Sequence, residues 1–345
     1  MGGNEMGPPV KSSYCLDEEG GLMPEKSPNI DQIREQHGEW TAMSIHLGGD
    51  SYTLRPAADG RLRRILQVAC DLAGKPLEHL RVLDLACLEG HYGIELAIHG
   101  AEVVGIELRE ANLAKARYVK DYLRLERLTL FQDDVRNLSL QKYGQFDLVI
   151  CSGILYHLDA PDVFHFVRRV FEVCTRLAIF DTQIALRPDE TVAFENEAYY
   201  GLWYTEHEES ADRDARLKDL WASVDNFRSF WFTPASLTNY VTRVGFSSFF
   251  ECLAPEHALP ADRRAYVAIK GQPAQVLSSP PTASMGFTPK TERANLPVVG
   301  PNLKRGPLFR SAKRLLPQSI KNSIKIILRM VRLLPPDSTP KFLKK

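Results

Sequence analysis

Glu107 closes the apolar run EVVGIE about 20 residues beyond the turn DLACLEG, the separation at which an acid ending a second strand reaches the ribose diol of a nucleoside seated over the first turn. Hydrogen bonds from both hydroxyls to one carboxylate would be charge-assisted and would fix the sugar. Asp84 stands at the end of the first apolar run, RVLDL, and Gly90 ends the turn, where a residue without a side chain lets backbone and ligand come close. A second group follows the run FDLVICSG. In GILYHLDAP, Tyr156 and His157 stand just past an apolar strand, and an imidazole there can take a proton near neutral pH or hydrogen-bond structurally within its loop.

These residues need a scaffold that brings strand ends together. Apolar runs alternate with helical periodicity from residue 60 to 181: a helix with Leu62, Ile65, Leu66, Val68, Ala69 and Leu72 on one face, then VLDLA, a helix from His91, EVVGIE, a helix from Glu110, LTLFQDD, FDLVICS, a helix from Pro161 or Asp162, and RLAIFDT. Such βα alternation predicts a parallel sheet covered on both faces, with ligands at the carboxyl ends of the strands. GFSSFFECLAP and RRAYVAIKG, with no helix-length pattern between them, predict a final antiparallel pair. Upstream, Asn29 or Asp31 caps a short helix through Gln36. The stretch 38 to 54, with Trp40, His46 and Tyr52, reads either as a lid over the ligand or as a segment packed on the sheet.

The order of these motifs resembles the class I S-adenosylmethionine (SAM) dependent methyltransferases over roughly residues 81 to 271. The resemblance implies an α/β, Rossmann-like, seven-stranded sheet, mostly parallel with a terminal antiparallel hairpin, and SAM as cofactor. It places Asp84, Ala86 and Gly90 along the amino acid moiety, Glu107 on the ribose, Asp134 on the adenine amino group with Val135 beside the ring, and Cys151 and Ser152, followed by Gly153, beneath the sulfonium. Ala86 and Leu88 occupy the first two glycine positions of the family's usual DxGxGxG. They also remove a GxGxxG fingerprint, so a pyrophosphate-bearing dinucleotide is not supported. The LYH loop, with Gly153, Leu155, Tyr156, His157 and Pro161, is similar to the wobble-uridine tRNA carboxymethyltransferases, but that family's basic N-terminal segment has no counterpart here.

Residues 182 to 232 break the βα rhythm and predict a substrate insertion. Its run ENEAYYGLWYTEHEES reads as an aromatic and acidic wall, with Tyr200, Trp203 and Tyr204 joining Trp40, His46, Tyr156 and His157 around the acceptor, or as a solvated helix with aromatic anchors. Glu206, His207 and Glu208 are adjacent and project differently, so no metal site is expected.

A chain of 345 residues with 44% apolar composition accommodates one large core with appendages. The divisions expected are a flexible tail over 1–28, a methyltransferase domain over 29–270, a Pro/Ser-rich linker over 271–310 and a basic amphipathic tail over 311–345. Net charge is zero only by cancellation: residues 294 to 345 hold twelve basic residues against Asp337. Within 318–334, Ile320, Ile324, Ile327, Leu328, Val331 and Leu334 share a helical face flanked by cations, which suits an anionic lipid surface or a protein partner. The six cysteines form no CxxC pair and read as reduced core residues. No stretch approaches the ~20 apolar residues of a membrane span, so a cytoplasmic location is expected, with peripheral contact at the inner membrane face. The function expected is methyl transfer to an oxygen or nitrogen of a small polar, glycan, lipid-linked or natural-product acceptor. The alternatives are a tRNA-modifying enzyme and a noncatalytic SAM-binding or partner-binding module.

Overall fold

The computed structural model describes residues 14–16, 22–24, 29–56, 59–252 and 261–273. The expected linker beyond residue 273 and the amphipathic tail lie outside the described residues, as does most of the expected N-terminal tail.

The order of elements is α1 (Ile30–His37), α2 (Gly60–Leu72), β1 (Arg81–Leu85), α3 (His91–Ile98), β2 (Glu102–Glu107), α4 (Glu110–Tyr122), β3 (Leu128–Gln132), α5 (Leu140–Tyr143), β4 (Phe146–Ser152), α6 (Asp162–Val173), β5 (Cys174–Gln183), β6 (Glu190–Phe194), β7 (Glu197–Thr205), α7 (Arg213–Lys218), β8 (Arg228–Phe232), α8 (Pro234–Val244), β9 (Ser248–Cys252) and β10 (Arg263–Ile269). Seven strands form one sheet in the order β9-β10-β5-β4-β1-β2-β3. β10 runs antiparallel to both its neighbours, and the other pairings are parallel, as the final hairpin predicted. The chain crosses from β3 back to β4 beside β1, so the connections diverge between β1 and β4 and open a crevice at their carboxyl ends.

Strand periodicity divides the core cleanly. Val82, Val103, Leu148, Ile150, Leu177 and Ile179 face α1 to α4, and Leu83, Leu85, Ile106, Val149, Cys151 and Phe180 face α6, α8 and the insertion. This two-sided burial explains why the strands read as continuous apolar runs. Local signals set the helix starts. Asn29 and Gln32 form a capping box on α1, Asp59 accepts from the amides of Arg61 and Leu62 at the head of α2, and Thr233 caps α8 ahead of Pro234.

The insertion is not a solvated helix. β6, β7 and β8 make a second, antiparallel sheet, with α7 in the loop between β7 and β8. Gly201 permits this pairing, because a Cβ there would lie 2.3 Å from the carbonyl oxygen of Trp231. The N-terminal segment packs as well: Trp40 is 2% exposed, edge-on to Tyr118 of α4 at 5.9 Å. Of the cysteines, Cys87, Cys151 and Cys174 are buried, while Cys70 is exposed on α2, contrary to the expected core position.

Candidate active site

The turn after β1 retains the backbone of a glycine-rich loop without the glycines. Ala86 and Leu88 both have φ of 51°, and Gly90 has φ of 82°. The left-handed region costs a residue with a Cβ roughly 1–2 kcal/mol, so the fold holds strain here that the usual family sequence avoids. Gly90 is needed on packing grounds too, since a Cβ would lie 2.9 Å from Cδ1 of Ile94 and 3.1 Å from Cβ of Ala116. Glu89 inside this turn is buried. It pairs with the equally buried Lys115 at 2.8 Å and accepts from the amides of Thr41 and Ala42, tying the N-terminal segment to the turn.

Two carboxylates lie beneath the turn. Asp84 is 1% exposed and accepts from the Gly93 amide at 2.9 Å. Burial pushes its carboxyl up to about 7, against the Gly93 hydrogen bond and with help from the charge on Glu107. Glu107, 3% exposed, accepts from the Arg109 amide at 2.8 Å and the Leu88 amide at 3.0 Å. Burial raises it also, and these amides and the Arg109 charge oppose the shift. Each oxygen keeps a further lone pair for a ligand hydroxyl. Among the described residues neither acid forms an ion pair, so a cationic ligand would compensate their ionised forms and a pyrophosphate would not.

On the far side of Glu107, Arg109 reaches into the insertion. Its guanidinium donates to the carbonyl oxygens of Leu217 at 3.1 Å, Asp219 at 2.8 Å and Ala222 at 2.7 Å, holding the end of α7 and the loop after it over the edge of β2. Arg136 makes a second tie by pairing with Asp134 and with Asp225 of the same loop. Both oxygens of Asp134 are thereby engaged by Arg136, one of them also capping the short turn at 135–137, and Val135 is buried in the core. Burial would raise Asp134, but the Arg136 contacts outweigh it and its pKa is lowered. The expected adenine contact therefore has to share an acid already bound to an arginine. Asp133 is half-buried, and Asn137, Lys142 and Tyr143 together hold it at about 2 against the effect of burial.

Past β4, Tyr156 and His157 sit in a single 3-10 turn over Leu155–His157. His157 Nδ1 lies 3.0 Å from Oε1 of Glu206, the residue that follows β7. Tyr156 lies edge-on to Trp231 at 6.0 Å, and Tyr204 stacks on the same indole at 4.5 Å and 16°. The Arg263 guanidinium lies 4.9 Å over the Tyr156 ring while paired with buried Asp181. Asp181 also has Arg61 and Arg64 at 3.9 Å each, so three cations surround one acid beside the ends of β4 and β5.

The structure separates the other expected site residues. Trp40 is a core residue and cannot form an acceptor wall. His46 is engaged in its own hairpin, stacked on Tyr52 at 4.7 Å with Nε2 2.9 Å from the Gly49 oxygen. Cys151 points into the apolar core, which leaves Ser152 and Gly153 at the edge. Trp203 and Tyr204 fall on opposite faces of β7: Trp203 packs against Phe230 beneath Arg228, Tyr204 joins Tyr156 and Trp231, and Tyr200 is 47% exposed. Glu206 and His207 also diverge, to His157 and to the Ser223 carbonyl respectively, and among the described residues no three His, Cys, Asp or Glu side chains gather as a metal site. Arg109, Glu89, Trp231 and Arg263 were not singled out by sequence, and Glu206 was named only within the aromatic and acidic run beside His207 and Glu208. The aromatic richness of EAYYGLWYT is the local signal that favours the strand leading to Glu206.

Comparison with known proteins agrees with this arrangement. Residues 82–176 match the family model described as a methyltransferase domain. The ubiquinone biosynthesis O-methyltransferase of Acinetobacter baumannii (strain AYE) is 34% identical over 101 residues, covering 29% of this chain and 40% of that one. The enzyme of the same name from Bordetella pertussis (strain Tohama I) is 33% identical over 103 residues, covering 29% and 39%. The match thus spans about two fifths of the length of these relatives. The N-terminal domain of EvdMO1, crystallised in the presence of SAH and D-fucose, superposes with a TM-score of 0.51 at 19% identity, covering 70% of this chain and 95% of that one, a likeness of fold. The family match over 82–176 therefore shows a methyltransferase domain, set in a seven-stranded sheet like that of class I, SAM-dependent methyltransferases.

Proposed function

We propose that the protein is a SAM-dependent methyltransferase acting on a hydroxyl or amine of a small polar or ring-bearing acceptor, with residues 29–270 as the catalytic domain. The observation that carries this reading is the pair of buried acids, Asp84 and Glu107, at the carboxyl ends of β1 and β2, without an ion-pair partner among the described residues. When bound, SAM supplies an electrophilic methyl group on a cationic sulfur. Glu107 accepts the ribose hydroxyls with its remaining lone pairs. Asp84 and the turn at 86–90 face the amino acid moiety, and Ser152 and Gly153 leave room at the end of β4. Tyr156, Tyr204 and Trp231 offer the acceptor an aromatic face. His157, at the same strand end, receives the acceptor's proton. Most of the work left to the chain is alignment and exclusion of water, which the Arg109 and Arg136 ties support by holding the 213–227 loop down.

Calorimetric titration of the full chain with SAH and with NAD tests the reading. Micromolar or tighter binding of SAH and none of NAD is expected. Binding of NAD, or no binding of either nucleoside, overturns it.

A further inference from the structure

Glu206 is an acid buried on behalf of a histidine. Its side chain is 1% exposed, whereas that of His157 is 15% exposed. Oε1 receives Ser229 Oγ at 2.7 Å and His157 Nδ1 at 3.0 Å, and Oε2 receives the Ser223 amide at 3.1 Å and His157 Nδ1 at 3.2 Å. The histidine is fixed from the same side: Asn226 Nδ2 donates to its carbonyl at 3.0 Å, and the Phe230 amide donates to the next carbonyl, that of Leu158, at 2.9 Å. An ionised carboxylate only accepts, so the ring proton stands on Nδ1 and the lone pair on Nε2.

Resting on the methyltransferase reading above, we infer that Glu206 is a positioning residue for His157 and that the acceptor group is a hydroxyl. A neutral amine attacks with its own lone pair and needs no base beforehand, whereas an alcohol or phenol must lose its proton as it attacks. The acceptor O–H proton passes to Nε2 as the O–CH3 bond forms and the S–CH3 bond breaks. The sulfur keeps the bonding pair as the neutral thioether of SAH. Glu206 balances the imidazolium that results, a carboxylate–imidazole pairing assembled from two sheets. The Tyr156, Trp231 and Tyr204 rings beside this dyad suit an acceptor with a ring, a sugar or a phenol.

The test is 15N-edited NMR of the His157 ring, with SAH binding measured on the same samples. In the wild type the Nδ1–H tautomer is expected to dominate. In Glu206→Gln a mixture is expected, because an amide can either donate or accept, with SAH affinity within about twofold. Ser229→Ala, which removes one donor to Oε1, gives an intermediate population and serves if the first variant does not fold. Against a panel of hexoses and catechols, Glu206→Gln is expected to lower kcat by about 10²-fold, the scale of general-base catalysis, with acceptor KM within about threefold. A dominant Nε2–H tautomer in the wild type, or an unchanged tautomer in Glu206→Gln, overturns the inference, and so does transfer to amines alone. Loss of SAH binding by the wild type instead removes the methyltransferase reading on which it rests.

Discussion

Nη2 of Arg109 lies 2.7 Å from the carbonyl oxygen of Ala222, so the residue two positions beyond the buried Glu107 fastens the loop that follows α7. Burial lowers the guanidinium's pKa against the charges of Glu107, Asp219 and Glu206, yet the group remains a cation with backbone carbonyls as its direct partners. Each charged hydrogen bond contributes about 1.5–3 kcal/mol. Arg109→Ala should therefore speed tryptic cleavage at Arg213, Arg216 and Lys218 by at least about tenfold under native conditions. Equal cleavage rates in the two proteins would show that the loop is held by other contacts.

Asp84 sets a pH dependence. Its folded pKa is about 7, raised from the roughly 3.9 of an unfolded carboxyl. Across that interval the folded chain keeps a proton that the unfolded chain has lost. Stability contributed by this group is therefore full below about pH 4 and declines as pH rises towards about 7. Thermal midpoints of the ligand-free protein should fall between pH 5 and pH 7.5, and Asp84→Asn should flatten that slope. A variant with the wild-type slope would assign the effect to other groups.

Glu107→Gln replaces one accepting oxygen with an amide that must face either the Leu88 or the Arg109 N–H. Affinity for SAH should drop by about tenfold or more, from loss of a charge-assisted bond of about 1.5–3 kcal/mol. The far-UV circular dichroism spectrum should be preserved. Unimpaired SAH affinity in a folded variant would move the ribose away from β2.

Ala86 and Leu88 supply a conformational test. Ala86→Val should cost about 1–2 kcal/mol in urea unfolding, because a branched Cβ suits φ of 51° poorly. Ala86→Gly should stay within about 0.5 kcal/mol of wild type, since relief of strain is offset by the lost methyl and a freer unfolded chain. A harmless valine would mean that the turn relaxes out of the left-handed region.

The placement of Gly90 in a turn and of Asp84 and Glu107 in neighbouring strands was legible in sequence because its signals are local and doubly determined. Glu107 ends a buried run, Gly90 ends a turn, and both distances are fixed by one βαβ unit. The φ values of Ala86 and Leu88 were not legible, because a residue with a Cβ does not announce a left-handed backbone. Trp40 misled for a related reason: a bulky aromatic in a loop-like stretch serves equally well as a lid or as a core anchor, and Tyr118, which decides it, lies 78 residues away. The acceptor half rests on pairings across sheets, such as His157 with Glu206 and Arg109 with Ala222, which no periodicity encodes. The aromatic run EAYYGLWYT favours a strand, and the two-residue period of that strand separates Trp203 from Tyr204.

The division of labour between the two sheets bears on how such a chain diversifies. The imidazole is supplied by the crossover after β4, but its carboxylate arrives on a separate three-stranded cassette added after β5. During synthesis the strands that end at Asp84 and Glu107 are encoded first, and the proposed base gains its carboxylate only once the cassette has docked. On the reading proposed above, grafting a foreign cassette between residues 184 and 233 would exchange acceptor choice and proton transfer together, and a graft lacking an acid at the Glu206 position would bind the donor but turn over slowly.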